Sequence, residues 1–206
     1  MAMFITFEGT EGSGKSTQID LLAQFLHSRG YNVIVTREPG GTAIGEQVRL
    51  CLHDVNNKKM AAAAEFLLYS ASRAQHVEEI IEPAVAEGAI VLSDRYSDSS
   101  IAYQGYGRGL DLDALRQITR FATRGLKPDL TFLLEIDASE GLERREVGGA
   151  EINRMDLQTA SFYERVQKGY EALVAAEPDR WIVISANKPK DMLQNEIRRV
   201  VLDKLE

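Results

Sequence analysis

The sequence predicts an α/β fold, a five-stranded parallel sheet with helices on both faces. Three observations predict it. Five short apolar runs, rich in β-branched and aromatic residues, read as strands buried on both sides. The stretches between them carry apolar residues at helical spacing. The first strand and first helix are joined by Gly9-Thr10-Glu11-Gly12-Ser13-Gly14-Lys15-Ser16, which fits G-x-x-x-x-G-K-[ST] at every fixed position.

Met3-Phe4-Ile5-Thr6-Phe7 is the first strand, and Ile19, Leu21, Leu22, Phe25 and Leu26 mark the first helix, which ends near Arg29-Gly30. In the loop between them, glycines let successive backbone N–H groups point into one concavity, and the helix adds its positive dipole end there. Lys15 is a mobile point charge suited to the β- and γ-phosphates of a nucleotide, and the Ser16 hydroxyl, followed by Thr17, suits Mg²⁺. An idle glycine turn is the competing reading; the strand before and the helix after speak against it.

Asn32–Thr36 reads as the second strand. It runs into Arg37-Glu38-Pro39-Gly40-Gly41-Thr42, so Arg37 stands at a C-terminal strand end, where open α/β sheets bind ligands. An ordinary surface arginine is the alternative. Ala43–Leu52 is a short helix in which Cys51 reads as a small buried apolar residue. Ala61–Ala86 is helical, with a break expected near Gln75-His76. Phe66, Ser70 and Arg73 share one face of it at spacings of four and three, and an aromatic plane beside a guanidinium suits a nucleobase. A core phenylalanine beside a solvated arginine is the plainer reading. His27 and His76 read as surface residues, and His53 shows no partner in the sequence.

Ala89–Ser93 is the third strand, with Asp94-Arg95-Tyr96 at its end. A carboxylate there is placed for a second Mg²⁺ contact, or for capping the next segment. Arg95 can fork onto a phosphate. Ser99, Ser100, Tyr103 and Gln104 follow at helical spacing with small polar groups for a sugar and a base edge, and Gly105–Gly109 reads as a flexible turn. Leu112, Leu115, Ile118 and Phe121 mark another helix, Leu130–Ile136 the fourth strand, Phe162–Val174 a long helix, Trp181–Ser185 the fifth strand, and Leu193–Leu205 the last helix. Residues 142–154 are charged and hinged by glycines, with Arg144, Arg145 and Arg154 among them. They read as a lid over a triphosphate or as a solvated connection.

At 206 residues, with 44% hydrophobic and 27% charged content, one domain spanning 1–206 is expected. A net charge of −7 speaks against a nucleic-acid partner, so phosphate binding must come from a few placed cations. No run approaches the roughly 20 apolar residues of a membrane span. The start runs straight into a strand, so no signal peptide is expected. One cysteine allows no internal disulfide, and a cytoplasmic location fits.

Four stretches together resemble the bacterial thymidylate kinases: Phe7–Ser16, Arg37–Thr42, Phe66–Arg73, and Asp94-Arg95-Tyr96 through Gln104, in the family's order and spacing over nearly the whole chain. The resemblance implies a three-layer P-loop kinase fold with a short lid, and transfer of the ATP γ-phosphoryl group to dTMP, giving ADP and dTDP. It implies that Phe66 stacks on thymine, Arg73 bonds its O4, Ser100 faces N3 and Tyr103 meets the deoxyribose. Arg37 and Arg95 hold the dTMP phosphate, Glu8 lies near that phosphate and the Mg²⁺, and Gln104 contacts the sugar or the lid. A homodimer is implied as well. The loop carries no basic residue among Thr10, Glu11, Gly12 and Ser13, which in the family goes with catalytic arginines in the lid. Val147 and Gly149 stand where such relatives tend to have arginine, which leaves Arg145 and Arg154, with Arg144 behind them. Two competitors remain at this point. One is a small kinase for another acceptor. The other is a nucleotide-dependent switch, against which the absence of N-K-x-D at Asn187-Lys188-Pro189-Lys190 speaks.

Overall fold

A computed structural model describes residues 2–149 and 152–205, with the side chain of Arg145 not included. The expected lid extends onto Ala150 and Glu151, which lie outside the described residues. The strands are β1 (Met3–Glu8), β2 (Val33–Arg37), β3 (Ile90–Asp94), β4 (Leu130–Glu135) and β5 (Trp181–Ser185). They form one parallel sheet in the order β2-β3-β1-β4-β5. β1 lies at the centre and is buried along its whole length, which is why it reads as a mostly apolar run.

Alternation along the strands feeds two layers. Ile5, Phe7, Ile90, Leu92, Phe132 and Leu134 point to one face, where α1 (Lys15–Ser28) and α9 (Lys190–Leu205) close over them with Leu22, Leu26, Ile197 and Val201. Phe4 and Val91 point to the other, against Val77, Ile81 and Tyr96. Each large apolar side chain buried this way contributes about 1.5–3 kcal/mol. The register sets Phe7 and Arg37 on either side of Asp94, so the ends of β1, β2 and β3 deliver their following residues to one place.

The remaining helices are α2 (Ala43–His53), α3 (Ala62–His76), α4 (Glu82–Ala86), α5 (Ser97–Ser100), α6 (Leu112–Ala122), α7 (Ala138–Val147) and α8 (Ala160–Ala176). Two expectations about their joints are corrected. There is no break at Gln75-His76: α3 runs into a π-helical turn, Val77–Ile81, and on into α4. Nor do Gly105 and Gly107 form a flexible turn. They lie in a second π-helical stretch, Ile101–Gly107, where a Cβ would stand 2.6 Å from Leu112 Cδ2 and 2.7 Å from the Phe162 ring. Those glycines are there for close packing, not for bending.

Three burial expectations also change. Cys51 is exposed, because α2 turns Gly45 and Leu52 inward instead. Phe121, placed on an apolar stripe by spacing, is 85% exposed on α6. His76 is fully buried, held at Nε2 by the Thr36 hydroxyl at 2.6 Å and at Nδ1 by Glu38 at 3.1 Å.

Candidate active site

The phosphate loop rises from β1 and is held by backbone packing. A Cβ on Gly9 would lie 2.4 Å from the Leu134 carbonyl oxygen, and one on Gly12 only 1.8 Å from that of Gly141 in α7. Both glycines also have positive φ, so the loop's course excludes side chains at these points. Lys15 folds back over the loop, donating to Gly9 O (3.2 Å), Thr10 O (2.9 Å) and Ser13 Oγ (3.3 Å). Burial, and then the neighbouring Arg95, push its ammonium down to about 8. Ser16 at the start of α1 donates its hydroxyl to Asp94 Oδ2 at 2.7 Å. The two form an oxygen pair on the rim of the sheet, hard donors of the kind Mg²⁺ takes alongside water and phosphate oxygens.

Arg95 follows β3 in the left-handed region at φ 71, uncommon for a side chain of this size. Its backbone N–H bonds to Phe7 O at 2.9 Å, and that anchor holds the strained turn. The guanidinium donates to Ser99 Oγ (3.1 Å), Tyr170 OH (3.4 Å) and Tyr103 OH (3.2 Å), and pairs closely with Glu11 of the phosphate loop. Burial works against its charge, yet Glu11 foremost holds its pKa well above the ordinary value.

Arg73 from α3 is 1% exposed. It donates through Nε to Glu38 (2.8 Å), through Nη1 to Ser100 Oγ (2.9 Å) and through Nη2 to Tyr96 O (3.0 Å). Glu11, Gly12, Gly14, Lys15, Ser16, Thr17, Arg37, Arg73, Asp94, Arg95, Ser99, Ser100, Tyr103 and Gln104 all line one cleft of about 370 Å³. Gly9, Thr10 and Ser13 stand behind it in the loop.

Four expected site residues sit otherwise. Glu8 does not offer an oxygen to a metal ion. It is fully buried and accepts from Tyr96 N–H (2.9 Å), Ser99 and Tyr170 OH (2.8 Å). Burial foremost, with Asp98 adding to it, pushes its carboxyl up to about 7 against the pull of Arg95. Ser70 turns its hydroxyl back to Phe66 O at 2.9 Å, as a mid-helix serine does when apolar neighbours surround it. Phe66 is 2% exposed and packs with Ile101 and Leu115, offering no open ring face to the cleft. Arg154 does not reach over the loop. It is claimed by Glu65 at 2.6 Å and by Leu52 O at 2.9 Å. The side chain of Arg145, the other arginine expected there, lies outside the described residues. Of the lid arginines with described side chains, Arg144 is the one that lines the cleft, with Nη1 on Ala186 O and Nη2 on Asn187 Oδ1, both at 3.0 Å.

The family model for thymidylate kinase matches residues 7–197, almost the whole chain. The chain belongs to the thymidylate kinase family. A thymidylate kinase of a Roseiflexus species, strain RS-1, is 50% identical over 98% of this chain and 94% of its own. The thymidylate kinase of Desulfovibrio desulfuricans is 47% identical, covering 97% and 94%. Among solved structures, the thymidylate kinase of Ehrlichia chaffeensis superposes with a TM-score of 0.79 at 35% identity, over 97% of this chain and 98% of that one. The five-stranded parallel sheet with helices on both faces is thus the P-loop kinase fold of this family.

Residues that the spacing argument passed over complete the site. Arg49 from α2 reaches the cleft and donates to Pro39 O at 2.9 Å, and Glu38, Tyr69, Asn153 and Met155 line it too. Tyr170 was missed in another way. The apolar stripe of α8 assigns it to the core, yet its hydroxyl joins Glu8 to Arg95. A tyrosine on a core stripe whose hydroxyl needs a partner was the available signal.

Proposed function

We propose that this protein transfers the γ-phosphoryl group of ATP to dTMP, giving ADP and dTDP, a step on the way to dTTP. One observation carries the reading. A single cleft is lined by the phosphate loop, by the buried Arg73 and by Arg95.

The acceptor phosphate is already a competent nucleophile at neutral pH, so the protein's part is positioning and charge stabilisation. The loop N–H groups and Lys15 hold the β- and γ-phosphates of ATP. Arg37 and Arg95 hold the dTMP phosphate, with Arg95 next to Lys15 and so within reach of the transferred group. Of the lid arginines with described side chains, Arg144 is assigned the lid arginine's part because it lines the cleft. Arg73 donates to O4 of thymine, Ser100 faces N3, and Tyr103 lies against the deoxyribose, where a 2′-hydroxyl finds no room. Gln104, tied to Glu65 at 2.8 Å, steadies the wall next to the sugar. Ser16 and Asp94 would hold Mg²⁺, which would supply positive charge beside the ATP phosphates.

The protein acts in the cytoplasm as a homodimer. Ile44, Leu50, Leu67 and Phe121, all more than half exposed on the neighbouring helices α2, α3 and α6, supply an apolar surface for a second copy. Among the described residues no helix is long and apolar enough to cross a membrane. The test is ADP release over dTMP, dUMP, AMP, GMP and CMP, with dTMP expected to dominate. Arg95→Ala should cut turnover with dTMP by about 10³-fold or more in a protein that still folds. No ADP release with dTMP ends the reading, and near-normal turnover in the variant removes Arg95 from it.

A further inference from the structure

We infer that Glu38 and His76 form a buried positioning relay that aims Arg73 at the pyrimidine and so sets selectivity at its 4-position; this rests on the reading of Arg73 just given. The relay begins at the edge strand. Thr36 near the end of β2 meets His76 Nε2 at 2.6 Å. His76 Nδ1 meets Glu38 Oε1 at 3.1 Å, and Glu38 Oε2 accepts from Arg73 Nε at 2.8 Å. Arg73 and His76 lie three residues apart on α3, on one face. Arg73, His76 and Glu38 have side chains no more than 3% exposed.

The chemistry fixes the direction of the bond at Glu38. A carboxylate oxygen accepts, so the Nδ1–H of His76 donates to it, and the ring's other nitrogen shares a hydrogen bond with the Thr36 hydroxyl. Both carboxylate oxygens of Glu38 are then engaged, and its plane cannot rotate. Packing enforces the same placement, because a Cβ on Gly41 would stand 2.9 Å from the His76 ring. The guanidinium therefore has Nε fixed by Glu38, Nη1 by Ser100 and Nη2 by Tyr96 O. Each Nη keeps a second N–H. An arginine this restrained presents donors in one direction only. A pyrimidine with a carbonyl at position 4 accepts from them, whereas one with an amino group there meets donor against donor. A guanidinium free to turn aside would lose that rejection, since leaving buried polar groups unpaired is what makes hydrogen-bonded sites selective.

The experiment compares kcat/KM for dTMP with that for dCMP in wild type, Glu38→Gln, His76→Leu, His76→Asn and Thr36→Val. The expected result is a tenfold or greater fall in the dTMP:dCMP ratio for Glu38→Gln and His76→Leu. It should appear as a raised KM for dTMP with kcat for dTMP changed less. His76→Asn, which keeps a donor where Nδ1 was, should restore most of the ratio. A purely structural role predicts lower melting temperatures with the ratio unmoved. That outcome in folded Glu38→Gln and His76→Leu overturns the relay while leaving the dTMP reading intact. If His76→Leu does not fold, Glu38→Gln and Thr36→Val, at a partly exposed position, decide by the same ratio. A wild type that does not phosphorylate dTMP overturns the functional reading itself.

Discussion

Glu8 is a carboxyl fully buried from solvent. Its neighbours are a backbone N–H, two hydroxyls and, further off, the charges of Asp98 and Arg95. The folded value of about 7 stands above the ordinary 4.5. Between those two pH values the folded protein keeps a proton that the unfolded chain has lost. The associated stability is therefore complete below pH 4.5, declines as pH rises and is gone above about 7, an effect on the order of 3 kcal/mol. Thermal melts from pH 5 to 8 should show this decline in wild type and a flatter profile in Glu8→Gln, whose amide still fits donors that can rotate. Equal slopes in the two proteins would show that Glu8 does not titrate there. None of this was legible in the sequence, which placed Glu8 near a metal by resemblance. Spacing says which strand end a residue occupies, but not that Tyr170, 162 residues further along, will bring its hydroxyl to that carboxylate.

The strands were the most legible elements. All five stand within a residue or two of their expected bounds: β1, β3 and β4 are buried almost throughout, and the edge strands β2 and β5, which expose Val35 and Val183, still read as β-branched runs. The π-helical joints were not, since their apolar spacing differs from an α-helix by a single residue and their glycines mimic turns. Gly141 was missed for a related reason. It lies inside α7, where a glycine costs stability, and only the close approach of the loop explains it. A Cβ there would stand 2.2 Å from Glu11 O, a backbone atom that cannot swing away. Gly141→Ala should displace the phosphate loop and lower kcat/KM for ATP by about tenfold or more, with KM for dTMP nearly unchanged, since small misplacements near the chemistry are costly. Steady-state kinetics with each substrate varied in turn will read this, and unchanged ATP parameters would mean the loop absorbs the methyl group.

At the scale of the molecule, the course of the phosphate loop was readable and the shape of the proposed base pocket only partly so. The loop is contiguous, so its spacing carries its geometry. The proposed base pocket is assembled from α3, the β2–α2 loop and the segment after β3, and the apolar rule that put Phe121 inside also failed there for His76. Apolar residues on α2, α3 and α6 instead face outward, where a second copy is proposed. Sedimentation should give a dimer at micromolar concentration, and Leu50→Glu with Phe121→Glu should give a folded monomer; a wild-type monomer would refute the proposal.

The pairing of Arg95 with Glu11 has an electrical consequence. Before substrate arrives, Arg95 already holds an internal counter-ion, so a phosphate proposed to bind there must displace the Glu11 carboxylate, which stays in the chain and leaves an already acidic protein more negative. Stray anions must compete with that internal tenant. Replacing Glu11 by Gln should let inorganic phosphate inhibit dTMP turnover at lower concentration, and an unaltered inhibition constant would mean the tenant leaves without a contest.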